Sequence, residues 1–197
     1  MTILDDINSL IQEAYVFSDK TISVGLDEFE SGEKDKLFVV GLSGGGKTTL
    51  GLYLAKKYNA KYVDTDDIHI KFDHYKEKEY KKHKEKVWEE FNRIVNSNER
   101  LVIGGVGIGF AWENNEVPEN QLLDIPVIFL GKSILKSSWD ASGRDNKGRS
   151  LKGKNRLRQF YVFMKWNIQR FHKRTEEYKK AKIKNGGNVE EFKVPKL

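Results

Sequence analysis

Apolar residues recur at spacings of three and four over residues 3 to 17, where Ile3, Ile7, Leu10, Ile11, Ala14 and Tyr15 predict an amphipathic helix. The segment Thr21 to Phe29 predicts a short strand, and the polar Ser31 to Asp35, with its glycine, a turn. Leu37-Phe38-Val39-Val40 is a short run of bulky and β-branched residues that meets glycines at once, as a buried parallel strand does. Helical spacing returns at Leu50, Tyr53 and Leu54, so Lys47 to Tyr58 predicts a helix. Another short apolar stretch, Ala60 to Val63, stops at Asp64. The charged segment Tyr75 to Asn98 carries Tyr80, Val87, Trp88, Phe91, Ile94 and Val95, one buried stripe along a long helix. Leu101 to Ile103 and Pro126 to Leu130 predict two more strands. Lys132 to Lys154 is polar and punctuated by glycine, and Arg156 to about Lys182 predicts a second long helix. Phe192 to Val194 predicts a last edge strand that Pro195 ends.

Strands that alternate with helices across short connections imply a mainly parallel sheet covered on both faces, an α/β fold. At 197 residues the chain has the length of one compact domain with an appendage. We expect the appendage at 1–35 and the main domain at 36–197. No internal repeat is visible.

Composition narrows the chemistry. With 38% hydrophobic and 12% aromatic residues there is enough apolar material for a sizeable core, which excludes wholesale disorder. There are no cysteines, so disulfides, thiolate metal sites and cysteine nucleophiles are excluded. No stretch approaches the length of a membrane span, and Met1 to Asp6 carries two aspartates where a secretory signal would be basic, so a cytoplasmic protein is expected. The net charge is +6, but residues 144–197 hold 17 Lys and Arg against 5 Asp and Glu. A basic segment of that kind suits a phosphate-rich ligand, a nucleotide or a nucleic acid, or else a solvated lysine-rich surface.

The segment Gly41-Leu42-Ser43-Gly44-Gly45-Gly46-Lys47-Thr48 matches G-x-x-x-x-G-K-[ST] in full, between a predicted strand and a predicted helix. Glycines let backbone N–H groups curl around phosphate oxygens, and the helix start adds its positive dipole end. Gly41, Ser43, Gly44, Gly45, Gly46, Lys47, Thr48 and Thr49 are therefore expected to bind the phosphates of ATP. Lys47 reaches the β and γ phosphates, and the Thr48 hydroxyl is offered to Mg²⁺. At the end of the next strand stand Asp64, Asp66 and Asp67, on the sheet edge where ligands of open α/β folds bind. Phosphoryl transfer to an alcohol needs one carboxylate at the metal and one at the acceptor hydroxyl. Asp64 and Asp66 suit those tasks, whereas Asp67 is expected to cap the next helix.

The run GLSGGGKTTLGLYLAKKYNAKYVDTDDI resembles the opening half of the shikimate kinase and gluconate kinase branch of the small P-loop kinases, relatives of the nucleoside monophosphate kinases. The resemblance implies a P-loop NTPase three-layer sandwich with strand order 2-3-1-4-5, counted from the strand before the loop. It implies that Asp64 coordinates magnesium and that Asp66 acts as base toward the acceptor. It continues at Val102-Ile103-Gly104-Gly105, where such kinases let the backbone of a glycine turn approach the substrate, so Gly104 and Gly105 are expected to bind substrate. It also implies a lid at about 132–154 whose Arg144 and Arg149 neutralise charge on the transferring phosphoryl group, with Arg156 and Arg158 as weaker candidates, and a Pro195 contact with the base. The match runs from about residue 36 to 131. In the shikimate kinases an arginine on the helix after D-x-D binds the substrate carboxylate; here Lys81 and Lys82 stand early in that helix and Arg93 comes late. Lysine lacks the planar fork that grips a carboxylate, so shikimate is disfavoured as acceptor.

In the second long helix Leu157, Phe160, Met164, Ile168 and Phe171 have the spacing of a core stripe, while Tyr161 and Trp166 fall off it as candidate exposed contacts. His69, His74, His83 and His172 show no metal spacing and are expected at the surface. The expected function is an ATP-dependent kinase acting on a hydroxyl of a small metabolite, nucleoside or nucleotide. The alternatives are a kinase acting on a hydroxyl of a nucleic acid, held by the basic C-terminal segment, and a nucleotide-dependent binding protein without transferase activity.

Overall fold

The computed structural model describes residues 20–72, 79–105, 119–131, 134–143, 152–168 and 173–195. Six strands, β1 (Ile22–Val24), β2 (Lys36–Val40), β3 (Lys61–Asp64), β4 (Leu101–Gly104), β5 (Val127–Phe129) and β6 (Val189–Glu191), form one sheet in the order β3-β4-β2-β5-β1-β6. Its centre is parallel: β2 lies between β4 and β5, and β3 flanks β4. Every residue of β2 is buried, as expected of a central strand covered on both faces.

Side chains alternate across the pleat, so each strand feeds two cores. Phe38, Val40, Leu101, Ile103, Val127 and Phe129 face one side. There they meet Val87, Trp88, Phe91 and Val95 of α4 (Tyr80–Val95) and Tyr178 of α8 (Lys173–Asn185). Leu37, Val39, Val102 and Ile128 face the other, against Leu26 and Phe29 of α1 (Leu26–Ser31) and Leu50, Leu54 and Ala55 of α2 (Lys47–Lys57). This is the expected three-layer sandwich. Of the stripe read in residues 75–98, Val87, Trp88, Phe91 and Val95 form the buried face of α4; burying a side chain such as Phe91 stabilises the fold by roughly 1.5–3 kcal/mol. Tyr178 fixes α8 to α5 (Glu119–Asp124) by donating its hydroxyl to the Leu122 carbonyl at 2.9 Å.

The remaining helices are α3 (Thr65–Lys71), α6 (Ile134–Ala141) and α7 (Gly153–Trp166). Parallel register brings Asp64 opposite Gly104, and Gly104 opposite Val39, so the carboxyl ends of β2, β3 and β4 form one edge.

Several expectations change. Counted from β2, the first four positions follow 2-3-1-4, but the fifth is filled by β1, which precedes the loop and pairs antiparallel with β5. The closing strand lies outside it, also antiparallel, at Val189–Glu191 rather than 192–194. Its three residues are exposed and charged or half apolar, so no hydrophobic run marked it. The strand sought in 21–29 ends at Val24, because Gly25 takes φ +68° and starts α1. The polar stretch 132–154 contains α6, whose inward face is made of Ser137, Ser138 and, just past its end, Ser142, all fully buried. Serines hid a packed helix there. The helix expected over 156–182 is described as α7 and α8, and Leu157, expected in the core, is 57% exposed at the start of α7. The amphipathic segment 3–17 lies outside the described residues.

Candidate active site

The loop between β2 and α2 follows from its glycines. Gly44 has φ +75° and Gly46 φ +95°, left-handed conformations that cost L-residues with a Cβ. Space is limited as well: a Cβ on Gly44 would stand 2.8 Å from the Ala141 nitrogen and closer still to the Ser137 carbonyl, because α6 backs the loop. At Gly41 a Cβ would press on Leu130 at 3.0 Å, and Gly45 donates its N–H to the Leu42 carbonyl at 2.9 Å. Gly46 opens α2, and Thr48 and Thr49 are exposed in its first turn.

Lys47 is buried inside this loop and donates to the carbonyls of Gly41 at 3.1 Å and Leu42 at 2.9 Å. Burial pulls its pKa below the usual lysine value, and the negative charges of Asp66 and Asp64 oppose that shift.

Asp64 divides its two oxygens. Oδ1 accepts the Asp66 N–H at 3.0 Å and so caps α3, the task expected of Asp67, which is exposed instead. The cap falls to Asp64 because it is the residue with extended backbone immediately before the helix. Oδ2 accepts from the Thr48 hydroxyl at 3.0 Å and from the Tyr62 hydroxyl at 3.1 Å. Among the described residues no group of three or more His, Cys, Asp and Glu could hold a metal ion unaided. One carboxylate and one hydroxyl 3.0 Å apart do suit Mg²⁺, a hard cation that takes few protein oxygens and completes its shell with phosphate and water.

Tyr62 was not anticipated. Its ring lies against Gly51 of α2 and Gly104 of β4: a Cβ on Gly51 would be 2.7 Å from Cδ2, and one on Gly104 2.6 Å from the hydroxyl oxygen. Burial pushes the phenol pKa well up, so Tyr62 remains a neutral donor toward Asp64. Gly104, expected to admit substrate, is thus turned toward Tyr62. Gly105, with φ +110°, lies against Thr65 and Asp64, where a Cβ would be 2.8 Å from Oδ1.

Asn167 was missed too. Its side chain accepts the Ser43 N–H at 3.1 Å and donates to the Ser138 hydroxyl at 3.0 Å. Nothing in the spacing of a lone asparagine 124 positions beyond the loop announces such a contact.

Arg144 and Arg149 lie outside the described residues. Arg156 stacks over Trp139 at 4.1 Å and donates to its carbonyl at 3.3 Å, while Arg158, Lys165 and Trp166 are exposed on α7. His83 is buried, contrary to expectation, with Nδ1 2.9 Å from the carbonyl of Phe72, the residue that ends α3. Arg93 pairs with Glu90, Nε lying 2.7 Å from Oε2. A cavity of about 480 Å³ beside the start of β4, lined by residues such as Arg93, Ser97 and Glu99, includes no residue of the loop. Among the described residues no helix is long and apolar enough to cross a membrane.

Solved structures supply the comparison for this geometry. Shikimate kinase from Bacteroides thetaiotaomicron is similar with a TM-score of 0.52 and 23% identity, over 73% of this chain and 81% of that one. The chain has the shikimate kinase fold. Weaker likenesses are to shikimate kinase from Acinetobacter baumannii, in complex with shikimate (TM-score 0.48, 20% identity, 79% of this chain and 93% of that one), and to a gluconokinase from Sinorhizobium meliloti 1021 (0.41, 12%, 77% and 97%). No family model and no curated protein matches the sequence. The similar fold places β2, β3 and β4 around the phosphate loop, and the side chains on that edge are this chain's own.

Proposed function

We propose that the chain is an ATP-dependent phosphotransferase that moves the γ-phosphoryl group to a hydroxyl of a small metabolite, nucleoside or nucleotide. The observation that carries the proposal is the 3.0 Å approach of the Thr48 hydroxyl to the Asp64 carboxylate, with Asp66 one helical step beyond and its charge felt at Lys47. A phosphate-binding loop alone serves switches and pumps equally well. A second carboxylate on the same edge is what transfer to an alcohol adds.

In this reading the loop from Gly41 to Thr49 holds the triphosphate. Lys47 exchanges its two carbonyl partners for phosphate oxygens, which the weak hold of neutral acceptors on a buried ammonium favours. Thr48 and Asp64 hold Mg²⁺, which neutralises charge on the phosphate oxygens when bound. Asp66, on the first turn of α3, orients the acceptor hydroxyl and takes its proton as the O–P bond forms, while ADP leaves with the electron pair of the broken bond. Arg144 and Arg149 are proposed to stabilise the transferring group. Shikimate is disfavoured as acceptor, because Arg93 is tied to Glu90.

The test is transfer of labelled γ-phosphate from ATP to pools of metabolites, nucleosides and nucleotides. Asp66→Asn is expected to abolish transfer and leave Mg·ATP binding nearly unchanged. Equal loss of both would move Asp66 to the metal, and absence of transfer to any pool by the unaltered chain would refute the proposal.

A further inference from the structure

Asn167 is fully buried, yet its amide is engaged on both sides. Oδ1 accepts the Ser43 N–H at 3.1 Å, and Nδ2 donates to the Ser138 hydroxyl at 3.0 Å and, at the long end, to the Ser43 carbonyl at 3.4 Å. The amide therefore pairs with both polar groups of residue 43 as a neighbouring strand would. It does so from the end of α7, where Asn167 caps the helix with its backbone N–H on the Met164 and Phe163 carbonyls.

The partner on the other side has a task in the same place. Ser138 belongs to α6, and α6 is the helix whose Ser137 carbonyl and Ala141 back Gly44. One buried side chain thus joins the phosphate loop, α6 and α7. The loop needs such a tie. With Gly44, Gly45 and Gly46 in succession its backbone has the widest conformational freedom of any segment in the site, and ordering it on binding would cost affinity.

We propose that Asn167 is a positioning residue that holds the phosphate loop in its binding shape before the nucleotide arrives. The proposal deepens the kinase reading and rests on it for the identity of the ligand, whereas the tie itself is measurable without any ligand. Asn167 acts through Ser43, the loop residue whose N–H its side chain holds. Its removal frees the peptide of Ser43, lets the glycines sample other conformations, and shifts that ordering cost onto binding.

The experiment compares the unaltered chain with Asn167→Ala, Ser138→Ala and Tyr178→Phe. The last deletes a buried hydrogen bond of similar length, between α8 and α5, that involves no residue of the loop, and so controls for general loss of stability. Backbone amide exchange at Ser43 is expected to quicken about tenfold or more in Asn167→Ala and by less in Ser138→Ala, with exchange in β2 unaltered and no change at Ser43 in Tyr178→Phe. The dissociation constant for Mg·ATP, read by calorimetry, is expected to rise about tenfold in Asn167→Ala and to stay level in Tyr178→Phe. Unaltered Ser43 exchange in Asn167→Ala, or an equal rise in Tyr178→Phe, overturns the proposal. Should Asn167→Ala fail to fold, Ser138→Ala decides by the same two readings. An unaltered chain that binds ATP and transfers to no acceptor refutes the kinase reading alone, because exchange and binding still decide on Asn167.

Discussion

Gly51→Ala should be harmful although alanine is the better helix former. Position 51 is internal to α2, where replacing glycine gains about 0.5–1 kcal/mol from propensity. Against that gain stands the ring of Tyr62, since the new Cβ would lie 2.7 Å from Cδ2 and closer to Cε2, well inside contact distance. The ring is also placed by β4, since it occupies the space beside Gly104 where a Cβ would meet its hydroxyl oxygen at 2.6 Å. Overpacking of this kind costs about 1–3 kcal/mol, and a contact this close belongs at the upper end, so a net loss of about 2 kcal/mol follows. Displacing the ring also removes the Tyr62 hydroxyl from Asp64, so affinity for Mg²⁺ in the presence of ATP should fall with stability. Urea unfolding of the four members of a cycle, the unaltered chain, Gly51→Ala, Tyr62→Ala and the double variant, measures the coupling. In the Tyr62→Ala background the same Gly51→Ala change should be neutral or stabilising. If Gly51→Ala raises stability with Tyr62 present, the packing of the tyrosine between two glycines is wrong.

Lys47→Ala is expected to abolish ATP turnover, assayed by labelled phosphate release, and to leave the unfolding midpoint near or above that of the unaltered chain, since it removes a buried charge whose hydrogen bonds go to the neutral carbonyls of Gly41 and Leu42. Glu90 receives hydrogen bonds from Arg93 and from Lys71, which hold its pKa down to about 2 and tie α3 to α4. A depressed carboxyl contributes stability that is complete above its ordinary value of 4.5 and fades as pH falls toward about 2. Unfolding measured across that window should lose less stability on acidification in Glu90→Gln than in the unaltered chain, and parallel curves would remove Glu90 from the account.

Much of the site is written locally in the chain. A strand, a glycine loop, a helix start and a second strand ending in acid are contiguous features, and each restricts its own backbone, so Lys47 and Thr48 could be placed from spacing, and the resemblance to the small P-loop kinases brought Asp64 to them. The division of labour among the aspartates was not legible, because which carboxylate caps α3 depends on where β3 ends, a matter of one residue. Tyr62 and Asn167 act through contacts between distant segments, and an alternating strand or a polar helix end looks the same whether or not it makes them. The outer strands escaped for a related reason. Val189–Glu191 has no apolar period to reveal it, and the place of β1 next to β5 is decided by pairing across 103 positions and more. Similarly, α6 turns serines inward toward a glycine loop, so its buried face carries the polarity of a surface.

The central claim is that the phosphate loop and the β3 carboxylate form one site through Thr48 and Asp64. Calorimetric titration of ATP with and without Mg²⁺, into the unaltered chain and into Asp64→Asn, tests it most directly. The account predicts that Mg²⁺ tightens ATP binding by the unaltered chain, and that Asp64→Asn binds ATP yet loses most of that gain. An equal gain from Mg²⁺ in both proteins would contradict it.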